Sequence, residues 1–81
     1  MNTYLMKVRK VLEVEVPGLG ARIKQAREAD ERNLTQICAA IKMTTANWYK
    51  IEAEEVKSLP LETLGRIEKV LGVNFGVEFD D

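Results

Sequence analysis

Two short apolar stripes, separated by a gap of three or four residues, constrain this chain more than any other feature of its 81 residues. Asn33 is a good helix N-cap, and Gln36 three residues on completes a capping-box pattern. Leu34, Ile37, Cys38 and Ile41 then fall at i, i+3, i+4 and i+7, which is one apolar stripe of an amphipathic helix. Thr44 or Thr45 is placed to cap a second helix that turns Trp48 and Ile51 inward. The gap is too short for an antiparallel hairpin of long helices. It suits two short helices crossing at a steep angle, as in a helix-turn-helix unit. Small Cys38 lets the second helix approach the first, while Ile37, Ile41, Met43, Trp48 and Ile51 supply the apolar faces. The opposite face of the second helix is then free, and it carries Thr44, Thr45, Ala46, Tyr49 and Lys50. None of these is acidic, so such a face can enter a DNA major groove without repelling phosphates.

The rest of the chain frames this unit. Leu19, Ile23 and Ala26 follow the helical period after Pro17 and Gly18, a turn signal. Pro60 sits at a favoured first-turn position of a last helix, Leu61, Leu64, Ile67 and Leu71 give that helix its core face, and Gly72 ends it as a left-handed cap. The two ends read differently. Leu12, Val14 and Val16 alternate with Glu13 and Glu15. Val73, Phe75, Val77 and Phe79 alternate with Asn74, Gly76, Glu78 and Asp80. A period of two marks half-buried strands. Residues 3–11 stay ambiguous, because Tyr4, Val8 and Val11 also fit a helical face. The expected fold is mainly α: four helices over about 17–72, with terminal strands over about 10–16 and 73–79 pairing in a small sheet. A lone two-stranded ribbon is marginal in water, and its unpaired edges favour pairing with a second chain, so a homodimer is expected.

Composition bounds the possibilities. A chain of this length is one domain, and it buries roughly 60–65% of its unfolded surface. It is 46% hydrophobic and 31% charged, a globular balance. No apolar run approaches the roughly 18–20 residues of a membrane helix, and no long apolar stretch near the N-terminus precedes a cleavage site, so a cytoplasmic protein without membrane contact is expected. A lone cysteine, Cys38, fits a reducing compartment and reads as an inert buried thiol. There is no histidine, no phosphate-cradling glycine loop and no nucleophile–base pair, so neither an enzyme nor a metal or other cofactor is expected. The net charge of −1 hides an asymmetry. Residues 1–50 carry nine bases against five acids, a net +4, and residues 51–81 carry three against eight, a net −5. Between Asn33 and Ile51 there is no acid. Glu13 and Glu15 read as the wet face of a strand, Glu54 and Glu55 as solvated loop charge, and Glu52 as a partner for a helix-one base such as Arg22.

Taken together, these segments resemble the Cro and phage-repressor type of helix-turn-helix proteins, also called the xenobiotic-response-element type. The resemblance covers Leu19 to Val73. Leu19-Gly20-Ala21-Arg22-Ile23-Lys24 resembles the opening of that family's first helix. Asn33-Leu34-Thr35-Gln36-Ile37-Cys38 resembles the capped start of its second, and Trp48-Tyr49-Lys50-Ile51-Glu52 the end of its recognition helix. Leu59-Pro60-Leu61-Glu62-Thr63-Leu64 through Val70-Leu71-Gly72-Val73 resembles its fourth helix. The resemblance implies a lambda-repressor-like bundle that binds operator DNA, often as a dimer, to control transcription. It implies that Thr44, Thr45, Ala46, Tyr49 and Lys50 approach base edges or nearby phosphates, and that Asn33 and Gln36 open a helix that meets the backbone. Three departures stand out. Lys42 replaces a turn glycine that commonly needs a positive φ. Arg32 stands where a core leucine is usual, with Leu34 able to replace that contact. The alternating stretch from Val73 replaces the usual fifth helix. The expected function is a sequence-specific transcriptional regulator, a repressor, with the helix 44–52 in the major groove. The competing function is a protein-interaction module on the same scaffold, such as an antitoxin-like or accessory subunit, which the acidic final third and a pI of about 5.5 favour.

Overall fold

A computed structural model describes residues 6–9 and 13–79. Strands β1 (Lys7–Arg9) and β2 (Glu13–Glu15) come first, then helices α1 (Leu19–Glu28), α2 (Leu34–Ala40) and α3 (Thr45–Glu52), a two-residue strand β3 (Leu59–Pro60), and helix α4 (Leu61–Leu71). The architecture is mainly α, with four helices and one three-stranded sheet. Among the described residues no helix is long and apolar enough to cross a membrane.

The caps explain where the helices begin and end. Gly18, at φ 79°, turns the chain into α1. Asn33 Oδ1 accepts the Gln36 N–H at 2.8 Å and Gln36 Oε1 accepts the Asn33 N–H at 3.0 Å, a complete capping box. Thr44, not Thr45, caps α3, its Oγ1 accepting the Asn47 N–H at 3.1 Å. The C-termini of α2, α3 and α4 share one device, a left-handed residue followed by an N–H that reaches back five residues. The bonds are Met43 N–H to Cys38 O at 2.9 Å, Glu55 N–H to Lys50 O at 2.9 Å and Val73 N–H to Glu68 O at 3.0 Å. The left-handed residue is Gly72 at φ 67° in α4, but Lys42 at φ 55° and Glu54 at φ 57° in the other two. A side chain there costs about 1 kcal/mol relative to glycine.

The core holds Met6, Val8, Leu19, Ile23, Ile37, Trp48, Ile51, Leu59, Leu64, Ile67 and Phe75, with Cys38 and Ile41 at the α2 end. Leu34 packs on it, while Arg32 lies outside and grips Asp30. Leu61 is 37% exposed rather than buried. At 100° per residue it lies about a quarter turn from the stripe centred on Leu64, Ile67 and Leu71, and Leu59, one strand step before the helix, fills the core instead. Pro60 accordingly caps α4 instead of standing inside it.

The sheet differs from the expected one. Its order is β2-β1-β3. The N-terminal segment forms a hairpin by itself, with Lys7 opposite Glu15 and Arg9 opposite Glu13, and β3 joins β1 in parallel through Val8–Leu59. Tyr4, Lys10, Val11 and Leu12 lie outside the described residues, as do Asp80 and Asp81. Among the described residues, 73–79 form no strand of this sheet. Their alternation holds from residue 75 on: Phe75 is buried and Val77 and Phe79 rest half-buried on the core, whereas Val73 is 37% exposed. Side chains take the backbone groups that a neighbouring strand would have used. Phe75 N–H donates to Glu68 Oε2 at 2.8 Å, and Arg22 Nη2 donates to Phe75 O at 2.7 Å with its guanidinium 5.5 Å from the ring centre. Gly76, at φ 70°, then breaks the extended run.

Two close approaches fix α1 against α3. A Cβ on Gly20 would overlap the Glu52 carbonyl oxygen and the Glu54 Cγ. Glu54 is not solvated loop charge: its carboxylate accepts Met6 N–H at 2.9 Å and Gly20 N–H at 3.0 Å. Gly20→Ala should therefore lower the unfolding free energy by about 1–3 kcal/mol, the usual cost of overpacking; a urea titration checks this, and wild-type stability would contradict the close approach. Lys42→Gly should leave stability unchanged or raise it by up to about 1 kcal/mol in the same titration, because glycine relieves the left-handed strain but loosens the unfolded chain.

Candidate nucleic-acid interface

Helices α2 and α3 are joined by four residues, 41–44, and α3 buries Trp48 and Ile51. Its position depends on one carboxylate. Glu52 Oε2 accepts Trp48 Nε1–H at 2.6 Å and Arg27 Nε–H at 2.8 Å, and its Oε1 accepts Arg27 Nη2–H at 2.9 Å. The base from helix one is thus Arg27 and not Arg22, which faces Phe75 one helical turn earlier. The pair is well covered, with side-chain exposures of 18% for Arg27 and 6% for Glu52. The hydrogen bonds to Glu52 hold the Arg27 pKa above its ordinary value. The same guanidinium lies 5.9 Å from the Tyr49 ring centre, within cation–π range. Burial, followed by the Glu52 charge, pushes the Cys38 thiol pKa up, so the thiol stays neutral, and its Sγ–H points at the Thr44 carbonyl at 3.9 Å. Just before α2, Arg32 holds the Asp30 carboxyl down to about 2. That exposed pair contributes fully above the ordinary carboxyl range and fades as pH falls through 4 towards 2.

The outer face of α3 is open. Thr44, Thr45, Ala46, Asn47, Tyr49 and Lys50 are all exposed, Tyr49 at 53%. One flank of this face borders α4. There Lys42, Thr44, Asn47, Lys50, Thr63 and Arg66 line a groove of about 540 Å3. A second groove of about 450 Å3 continues past Lys42 and Arg66 to Lys69, over a floor of Ala40, Ile41 and Val70. Neither groove is lined by an acid.

Of the seven expected site residues, Thr44, Ala46 and Lys50 meet in the first groove. Thr45 and Tyr49 share the exposed face of α3 without lining it. Asn33 and Gln36 stand at the start of α2, also outside it. Their capping box uses one oxygen of each and leaves both amide NH2 groups able to donate. Asn47, Lys42, Thr63 and Arg66 complete the groove and were not expected there. Asn47 was readable, since it lies three residues before Lys50 and so on the same helix face. Arg66 and Thr63 were not, because their approach to α3 is made by tertiary packing. Among the described residues no cluster of three His, Cys, Asp or Glu side chains could hold a metal ion. No family model, curated protein or solved structure matches this chain.

Because Glu52 serves both Arg27 and Trp48, Glu52→Ala should destabilise the fold by about 3 kcal/mol, the range for removing one partner of a covered ion pair. A loss below about 1 kcal/mol in chemical denaturation, typical of a surface pair, would contradict this.

Proposed function

We propose that this chain is a sequence-specific DNA-binding regulator of transcription, a repressor built on the lambda-repressor-like helix-turn-helix scaffold and working in the cytoplasm without catalysis. The observation that carries the reading is the outer face of α3: exposed, polar, free of acid, and bordered by Lys42, Lys50 and Arg66. Thr45, Ala46 and Tyr49 then meet base edges in the major groove, where hydroxyl groups and small apolar side chains read hydrogen-bonding patterns and methyl groups. Lys50 neutralises a nearby phosphate. The spare amide donors of Asn33 and Gln36 suit phosphate oxygens beside the start of α2.

A homodimer belongs to the same reading, since two-fold symmetry doubles the half-sites. The support is an edge: among the described residues β2 has β1 as its strand neighbour on one side and none on the other. Sedimentation at micromolar concentration should show a dimer, free or on DNA, and a monomer in both states would remove this part. The alternative, a protein-interaction module, draws on the net −5 of residues 51–81.

Selection from a random duplex pool followed by binding at graded salt separates the two. A regulator making about five phosphate contacts should show a log–log salt slope near −4 to −5. Lys50→Ala should weaken binding, and Lys50→Glu should weaken it further. Unaltered affinity of Lys50→Glu for the selected site would show that this face is not the reader.

A further inference from the structure

We infer that Arg66 and Lys69 of α4, together with Lys42, form a second DNA-backbone track that runs along the α3–α4 grooves and holds phosphates without reading bases. The inference rests on the DNA-binding reading and adds to it residues outside α2 and α3.

Three observations meet at this place. The first is charge. Lys42, Lys50, Arg66 and Lys69 follow one another along two grooves that share Lys42 and Arg66. No acid lines either groove, and the Glu52 carboxylate is engaged with Arg27 and Trp48. Four cations thus gather where no acid contributes to the lining. The second is strain. Lys42 occupies a left-handed position at φ 55° where glycine would be relaxed. Its side chain makes no hydrogen bond in the described fold, so the capping bond of Met43 N–H to Cys38 O accounts for the backbone and not for the charge. The third is form. The two grooves share Lys42 and Arg66 and lie open at the surface. Two adjoining acid-free grooves with four cations suit a chain of spaced anions better than a single small one.

The chemistry of each residue fits that occupant. Arg66 offers a planar fork that can grip two phosphate oxygens at once. Lys69, three residues on, lies on the same helix face and adds a compact charge one turn further along. The apolar side chains of Ala40, Ile41 and Val70 let the cation stems lie flat while their heads reach outward. Releasing counterions from the backbone drives such contacts, and they are insensitive to sequence.

The test uses the full chain on its selected duplex. Single phosphates are replaced, one at a time, by neutral methylphosphonates, and affinity is read at graded salt. Arg66→Ala and Lys69→Ala should each make the log–log slope shallower by about 0.9. Each should weaken selected and unselected duplex by the same factor. Each should also abolish the sensitivity to methylphosphonate at one phosphate while the other sensitive phosphates stay sensitive. Arg66→Lys and Lys69→Arg should restore the slope, which separates lost charge from lost fold. If both alanine variants keep the wild-type slope and the full set of sensitive phosphates, the track is overturned while the role of α3 stands. A change in base preference would overturn it as well, since the residues would then be readers. A wild-type chain that retains no duplex at low salt overturns both this inference and the reading beneath it.

Discussion

The end of α3 is held by two carboxylates, and the rest of the molecule takes its position from them. Glu52 turns inward to Trp48 and Arg27, tying α3 to α1 across a covered ion pair. Two residues later Glu54 bridges two backbone amides, those of Met6 and Gly20, so β1 and the start of α1 are tied to the same point. Gly20 permits this because any side chain there would collide with the helix end. An isolated helix of eight residues is unstable in water, so α3 exists because these bonds and the burial of Trp48 and Ile51 hold it. A rigidly held short helix is also what a recognition element needs. Its outer face then has a fixed relation to whatever the other elements touch.

The same bonds explain how an acidic chain can present a basic surface. Three of the eight acids in residues 51–81 act inside the fold: Glu52 on Arg27 and Trp48, Glu54 on backbone amides, and Glu68 on the Phe75 N–H. Net charge counts them in full, yet each already faces donors within the molecule. The cations of the α3–α4 grooves have no such partners. Overall pI therefore says little about what a ligand meets here, because a field is set by which charges stay uncompensated at the surface.

What could be read in advance was local. The capping box at Asn33 and Gln36, a cap at Thr44 or Thr45, and the core stripe through Ile37, Trp48 and Ile51 depend on neighbours within a few residues, while the left-handed turn at Lys42 came from the resemblance, which has glycine there. The terminal sheet was misread because alternation reports which face is buried and not what bonds the backbone. The apolar face of Phe75, Val77 and Phe79 does meet the core, but Arg22 and Glu68 supply the bonds and Gly76 ends the run. β3 escaped notice because two residues carry no period. Glu54 looked like loop charge because its partners lie 34 and 48 residues away. For the candidate site, the face of α3 was legible from its own helical period, whereas Arg66 and Lys69 enter only through the packing of α4.

Lys42 and Glu54 show how one backbone device serves two ends. Both sit at the left-handed position after a helix, both carry a side chain where glycine is cheaper, and both helices end with the same backbone hydrogen bonds. Backbone geometry alone therefore gives no reason for either side chain. For Glu54 the reason is internal: its carboxylate closes the joint between β1, α1 and α3. Lys42 has no internal partner and lies where both grooves meet, at the turn leading into α3. A strained position that serves the fold points inward, as Glu54 does. On the proposed DNA-binding reading, a strained position whose charge is exposed beside other cations serves a bound phosphate instead.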